Sequence, residues 1–208
     1  MKIRSMLSGA ALVVATAVIT TQVVSQDAKP GAAQPPMSAE EQAMMQKWMA
    51  FATPNEHHKV LEAKVGKWNN TVKMWMDPSA PPSESKGASE FEMSLGGRYL
   101  MDHTTGETPF GPFEGMGVTG YDNLKNKYVV GWIDNMGTGI MGGEGTYDAK
   151  TKTFTYIGES PDINAGKYVK SRTTEKWLTA DKWVMESFVP GPDGKEYKCL
   201  EITYERAK

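Results

Sequence analysis

Tyr128-Val129-Val130-Gly131-Trp132-Ile133-Asp134 is the clearest strand in the chain. Its residues alternate with a period of two, and both faces are apolar: Tyr128, Val130 and Trp132 on one, Val129, Gly131 and Ile133 on the other. The stretch sits inside a block, 113–159, that Tyr121-Asp122, Asp134-Asn135 and Tyr147-Asp148 divide into successive strands. An open sheet apolar on both sides would aggregate, whereas closing it into a barrel removes its edges. This block therefore decides the fold.

The same period runs outward from it in both directions. Strands are expected near 67–77, 84–95, 98–107, 114–121, 127–134, 139–147, 152–159, 167–178, 182–190 and 195–206. Short turns such as Asp122-Asn123, Asp148-Ala149-Lys150 and Pro192-Asp193-Gly194 join them, and no helical pattern intervenes. The expectation is an all-β domain over 66–208, an antiparallel meander of about ten strands closed into a barrel. A β-sandwich is the competing arrangement. Gly139, Gly142, Gly143 and Gly145 allow the sharp bending a small barrel needs.

Upstream, the period changes to that of helices. Ser38-Ala39-Glu40-Glu41 fits a capping box, followed by an apolar stripe of Met44, Met45, Trp48, Met49 and Ala52. Thr53-Pro54-Asn55-Glu56 repeats the box before Val60 and Leu61, and Gly66 ends the segment. Two short helices over 38–65 are thus expected to pack on the barrel. Residues 26–37, rich in Pro and Ala, read as a flexible linker. Lys2 and Arg4 followed by the uncharged apolar run Met6–Val24 resemble a secretory signal cleaved near Ser25. An uncleaved anchor is the alternative, and would be the chain's only link to a membrane. The expected location is periplasmic or secreted.

Without Lys2 and Arg4 the chain holds 21 basic and 25 acidic residues, a net charge of −4. That disfavours nucleic acid as a partner. The single cysteine, Cys199, cannot form an intrachain disulfide and reads as a structural thiol. G-x-S-x-G, H-E-x-x-H, C-x-x-C and phosphate-cradling motifs are all absent. The 14 methionines could offer thioethers to Cu(I), but their spacing suits core filling better, and no cofactor is expected.

Gly66-Lys67-Trp68 resembles the signature of the lipocalin and wider calycin superfamily. In those families a basic residue from the barrel's end packs across that tryptophan, so the resemblance implies that Arg206 stacks on Trp68. A closer resemblance covers 54–206, to a bacterial family known only as a domain of unknown function, family 1579. It rests on Glu56-His57, Gly66-Lys67-Trp68, Gly96-Gly97-Arg98-Tyr99, Phe113-Glu114-Gly115-Met116-Gly117 and Gly120-Tyr121-Asp122. Trp132-Ile133-Asp134, Gly145-Thr146-Tyr147-Asp148 and Gly194-Lys195-Glu196 complete it. The resemblance implies a small calycin-like barrel with no assigned activity. A haem-binding barrel of the nitrobindin type is disfavoured, because Asn70 stands where that signature has glycine and the C-terminal part lacks histidine.

The sequence favours a non-enzymatic barrel that binds a small, largely apolar molecule. Trp75, Tyr128, Trp132 and Tyr156 would form its aromatic wall. His103, Arg172 and Glu186 would orient the ligand, with Arg172 and Glu186 paired across neighbouring strands. Trp132 and Asp134 are expected to face inward. One alternative is a hydrolase or isomerase using Glu186 with His103 as an acid–base pair. The other is a structural or partner-binding envelope protein. Oligomeric state is not legible.

Overall fold

The computed structural model describes residues 37–208. The expected signal segment, and all of the expected linker except Met37, lie outside the described residues. One compact unit spans Ala39–Lys208. Ten strands follow two helices: α1 (Ala39–Ala52), α2 (Glu56–Leu61), then a 3-10 turn at Glu62–Lys64. The strands are β1 (Gly66–Met74), β2 (Ser83–Ser94), β3 (Tyr99–Thr108), β4 (Gly111–Asp122) and β5 (Lys127–Asp134). They continue as β6 (Met141–Asp148), β7 (Thr153–Asp162), β8 (Lys167–Thr179), β9 (Lys182–Pro190) and β10 (Glu196–Arg206). Each pairs antiparallel with its sequence neighbours, and β1 pairs with β10 to close the barrel.

Closure makes one parity of every strand the inside. Trp68 and Asn70 on β1, Ser89 and Phe91 on β2, and Leu100 and Thr104 on β3 are buried. So are Tyr128, Phe154, Tyr156, Ser171, Trp183 and Tyr204. Register links them around the wall: Tyr128 opposes Gly145, Gly145 opposes Tyr156, and Trp183 opposes Tyr204. Most of the large rings gather at one end, where Trp183 stacks on Tyr204 at 3.7 Å and Tyr128 meets Phe154 edge-on at 4.9 Å. Such pairs add about 0.5–1.5 kcal/mol each beyond their buried area.

That end is plugged by α2 and the turn after it. Asn55, rather than the expected Thr53, caps α2, its side chain accepting from the His57 N–H while its own N–H donates to His58 Nδ1. His57 stacks on Tyr121 at 4.2 Å, the Tyr128 hydroxyl donates to the His57 carbonyl, and Leu61 is fully buried. Lys64 then turns into the barrel. It is 2% exposed, bonds Glu175 at 2.5 Å and lies over the Trp183 ring at 4.5 Å.

Arg206 locks the same end. Its guanidinium lies 4.2 Å from the centre of the Trp68 ring, donates to the Val65 and Ala63 carbonyls, and pairs with Asp181. Gly66 makes room for it. Its φ of +121° suits glycine, and a Cβ there would sit 3.0 Å from the arginine nitrogen.

The stripe on α1 differs from expectation. Met44, Met45, Trp48 and Met49 are all exposed and no residue of α1 is buried. Amphipathic spacing predicted the helix correctly but not a partner for its face. Its C-terminal carbonyls are tied to the rest of the unit by Asn123, which donates to Ala50, Phe51 and Thr53.

Lys64→Met should leave Glu175 buried without its cation and cost about 3–5 kcal/mol, whereas the double variant Lys64→Met/Glu175→Leu should recover most of that loss. Urea denaturation followed by tryptophan fluorescence measures both, and a single variant as stable as the wild type would refute this role for the pair.

Candidate functional site

The open end of the barrel differs from the plugged one. Inward-facing Val72, Val130, Trp132, Met141 and Leu200 are partly buried, and no described helix covers them. Trp132 lies flat against the wall because its neighbours on β4 are Gly115 and Gly117. A Cβ at Gly115 would collide with the indole. The Trp132 N–H donates to Asp134 Oδ2 at 2.8 Å, and Phe113 stacks on its ring at 6.4 Å. Asp134 also accepts from the Met136 N–H, which fixes the turn after β5.

Below this apolar collar lies a polar floor. Asn70 Nδ2 donates to Ser89 Oγ at 2.8 Å, Ser89 bonds Thr104, and the Thr104 hydroxyl donates to Asp102 Oδ1 at 2.8 Å. The chain has one direction. Thr104 spends its proton on Asp102, so it accepts from Ser89, and Ser89 accepts from the Asn70 amide. Asn70 Oδ1 is thereby left without a donor, and the Tyr156 hydroxyl likewise has no hydrogen-bond partner. Both residues are 3% exposed. Burying such atoms unpaired costs about 1–3 kcal/mol each.

Asp102 opposes Phe91 and Gly117 and so points inward. Burial raises its pKa to about 6, against the opposing effects of the Thr104 hydroxyl and Lys64, with Glu175 pushing the same way as burial. Burial also drives the Tyr156 hydroxyl well above its ordinary value, and Glu175 adds to that.

Four residues expected at the site face the interior: Tyr128, Trp132, Asp134 and Tyr156. Tyr128 is spent on the plug rather than the open half. The other four lie on the outer face. His103 opposes Glu90 and Met116, is 53% exposed and meets Glu114 at 3.0 Å. Glu186 opposes Thr174 and pairs with Lys198. Arg172 therefore falls opposite Phe188, lies 4.0 Å over its ring and bonds Glu196, so the expected Arg172–Glu186 pair does not form. Trp75 follows the inward Met74 and lies beside outward Lys198, 5.1 Å from its ammonium. With His103 and Glu186 both outside, no acid–base pair of these two serves the interior. Cys199 forms the bulge between Lys198 and Leu200, and burial raises its thiol pKa.

Two depressions elsewhere on the unit hold about 480 and 460 Å³. The first lies at the rim between 77–79 and 191–197, the second on the outer wall between Val129, Ile140, Ile157 and Tyr168. Among the described residues no three His, Cys, Asp or Glu side chains converge as a metal site.

A family model described as a protein of unknown function, DUF1579, matches residues 53–206. The chain belongs to that family. The DUF1579 match takes in α2 and the whole barrel and stops short of α1. No curated protein matches the chain. Among solved structures, the S-type phycobiliprotein lyase CPES from Guillardia theta aligns at a TM-score of 0.52 and 12% identity, covering 77% of this chain and 97% of that one. Rv2717c from M. tuberculosis aligns at 0.52 and 12%, covering 75% and 100%. At this identity the likeness is one of fold, a calycin-like barrel.

Asp102 makes stability depend on pH with a definite sign. Its folded pKa is raised, so the penalty is absent below about pH 4, grows between about 4 and 6, and is complete above that, at no more than about 3 kcal/mol. Asp102→Asn should therefore be more stable than the wild type near pH 7.5 and lose that advantage near pH 4, as read from paired urea titrations.

Proposed function

We propose that this DUF1579 protein is exported and binds a small, largely apolar molecule in the open half of its barrel. Export rests on the basic start and apolar run of residues 1–25. The binding reading is carried by one observation: a half-open apolar collar stands over a buried floor whose Asn70 Oδ1 and Tyr156 hydroxyl lack partners. Small-molecule sites combine apolar walls with a few placed polar groups in this way. The depression on the outer wall offers apolar surface, but its lining includes no orphaned buried polar atom.

The neutral fluorophore N-phenyl-1-naphthylamine is a suitable first probe. It should bind saturably at one per chain, and Trp132→Ala should weaken it by about tenfold, equivalent to about 1.4 kcal/mol. Binding that Trp132→Ala leaves unchanged would place the dye on the outer apolar wall and defeat the proposal, as would no saturable binding.

A further inference from the structure

The charge on the inner face narrows the class of ligand, taking the barrel-binding reading as given. Between the Lys64 plug and the rim, the inner face of the described strands carries Asp102 and Asp134 and no lysine, arginine or histidine. The nearest cation, Lys64, is bonded to Glu175. At the rim, Asp162 and Lys167 oppose each other. Asp102 is largely buried and forms no salt bridge among the described residues. A buried carboxylate in that state is costly unless a cation arrives to pair with it.

The hydrogen-bond count points the same way. Around Asp102 and Asn70 the acceptors outnumber the donors, whereas the Tyr156 hydroxyl and the Trp183 indole N–H are buried donors without acceptors. Asn70 Oδ1 has no donor, and the only side-chain donor to Asp102 among the described bonds is the Thr104 hydroxyl on Oδ1. A hydroxyl head would bring one donor, a carboxylate none, an ammonium three. Trp132 supplies a suitable flank. A Cβ placed on Gly117 would lie 3.0 Å from the Trp132 ring and 3.2 Å from the Asp102 Cβ, so ring and carboxylate border the same point of the wall. Indole faces attract cations, and more so when water is excluded.

We propose that the interior selects a primary ammonium carried on an apolar chain, a small amphiphilic amine. Its N–H groups turn to Asp102 and Asn70, and its chain runs along Val72, Trp132, Met141 and Leu200 toward the rim. The tail supplies affinity by burial, and the head supplies selectivity.

Octylamine, 1-octanol and octanoate share a tail and differ in head, so their displacement of N-phenyl-1-naphthylamine at about pH 7.5 isolates the head group. Octylammonium should bind at least about tenfold more tightly than 1-octanol, with octanoate weakest. Asp102→Asn should collapse the ammonium-to-alcohol ratio to within about twofold, while Glu186→Gln on the outer face should leave that ratio as in the wild type. Equal binding of the three heads, a preference for octanoate, or a ratio unmoved by Asp102→Asn would overturn the head-group assignment. Binding of the dye but of none of the three octyl compounds would also overturn it while leaving barrel binding intact. Failure of the dye itself would remove both.

Discussion

The ammonium of Lys64 is the constraint from which the molecule's two ends follow. A lysine buried this deeply must be paired, and here it is held by the Glu175 carboxylate and the faces of Trp183 and Phe154. It arrives from the turn after α2, whose Lys64 carbonyl also accepts the Trp68 indole N–H at 2.7 Å. The helical plug and the barrel wall are thus joined by a buried ion pair. The rings at that end leave no solvent-facing gap around it, and the opposite end stays open.

This division sets the chemistry of the interior. At the plugged end the large rings pack on one another and Lys64 is paired with Glu175, while the Trp183 indole N–H is left without an acceptor. Away from the plug, the Asn70–Ser89–Thr104–Asp102 chain runs in one direction and terminates in a carboxylate that forms no salt bridge among the described residues. The proposed ligand-binding role rests on this arrangement in the middle of the wall, beneath Trp132.

Period-two alternation, turn residues and the two-sided apolar strand at Tyr128–Asp134 carried enough information for ten strands and closure. The expectation that Trp132 and Asp134 face inward agrees with the register, but a strand apolar on both faces carries no signal of its own for which side is inside. The candidate site was only half legible, and the failures share a cause. On β3 the polar pair Asp102-His103 offers one residue to each face, and histidine drew attention to the wrong parity; Leu100 and Thr104, buried on either side of Asp102, were the available signal. On β9, Glu186 sits among apolar residues yet lies outside, because its cross-strand neighbours Thr174 and Glu201 form a solvated charged surface with Lys198. Lys64 and Glu175 lie 111 residues apart, and local patterning has no means of joining them.

The grip of Arg206 has a temporal side. It reaches back across 141 residues to the Val65 carbonyl, and β1 has its second neighbour only once β10 is in place. Loop-closure entropy grows slowly with length, so this separation adds little to the thermodynamic cost. It weighs on rate instead, since contacts distant in sequence slow folding. Until the final strand arrives, β1 and β9 both present unpaired edges to any neighbouring chain. The residue that completes the barrel is therefore also the one that ends its exposure to aggregation.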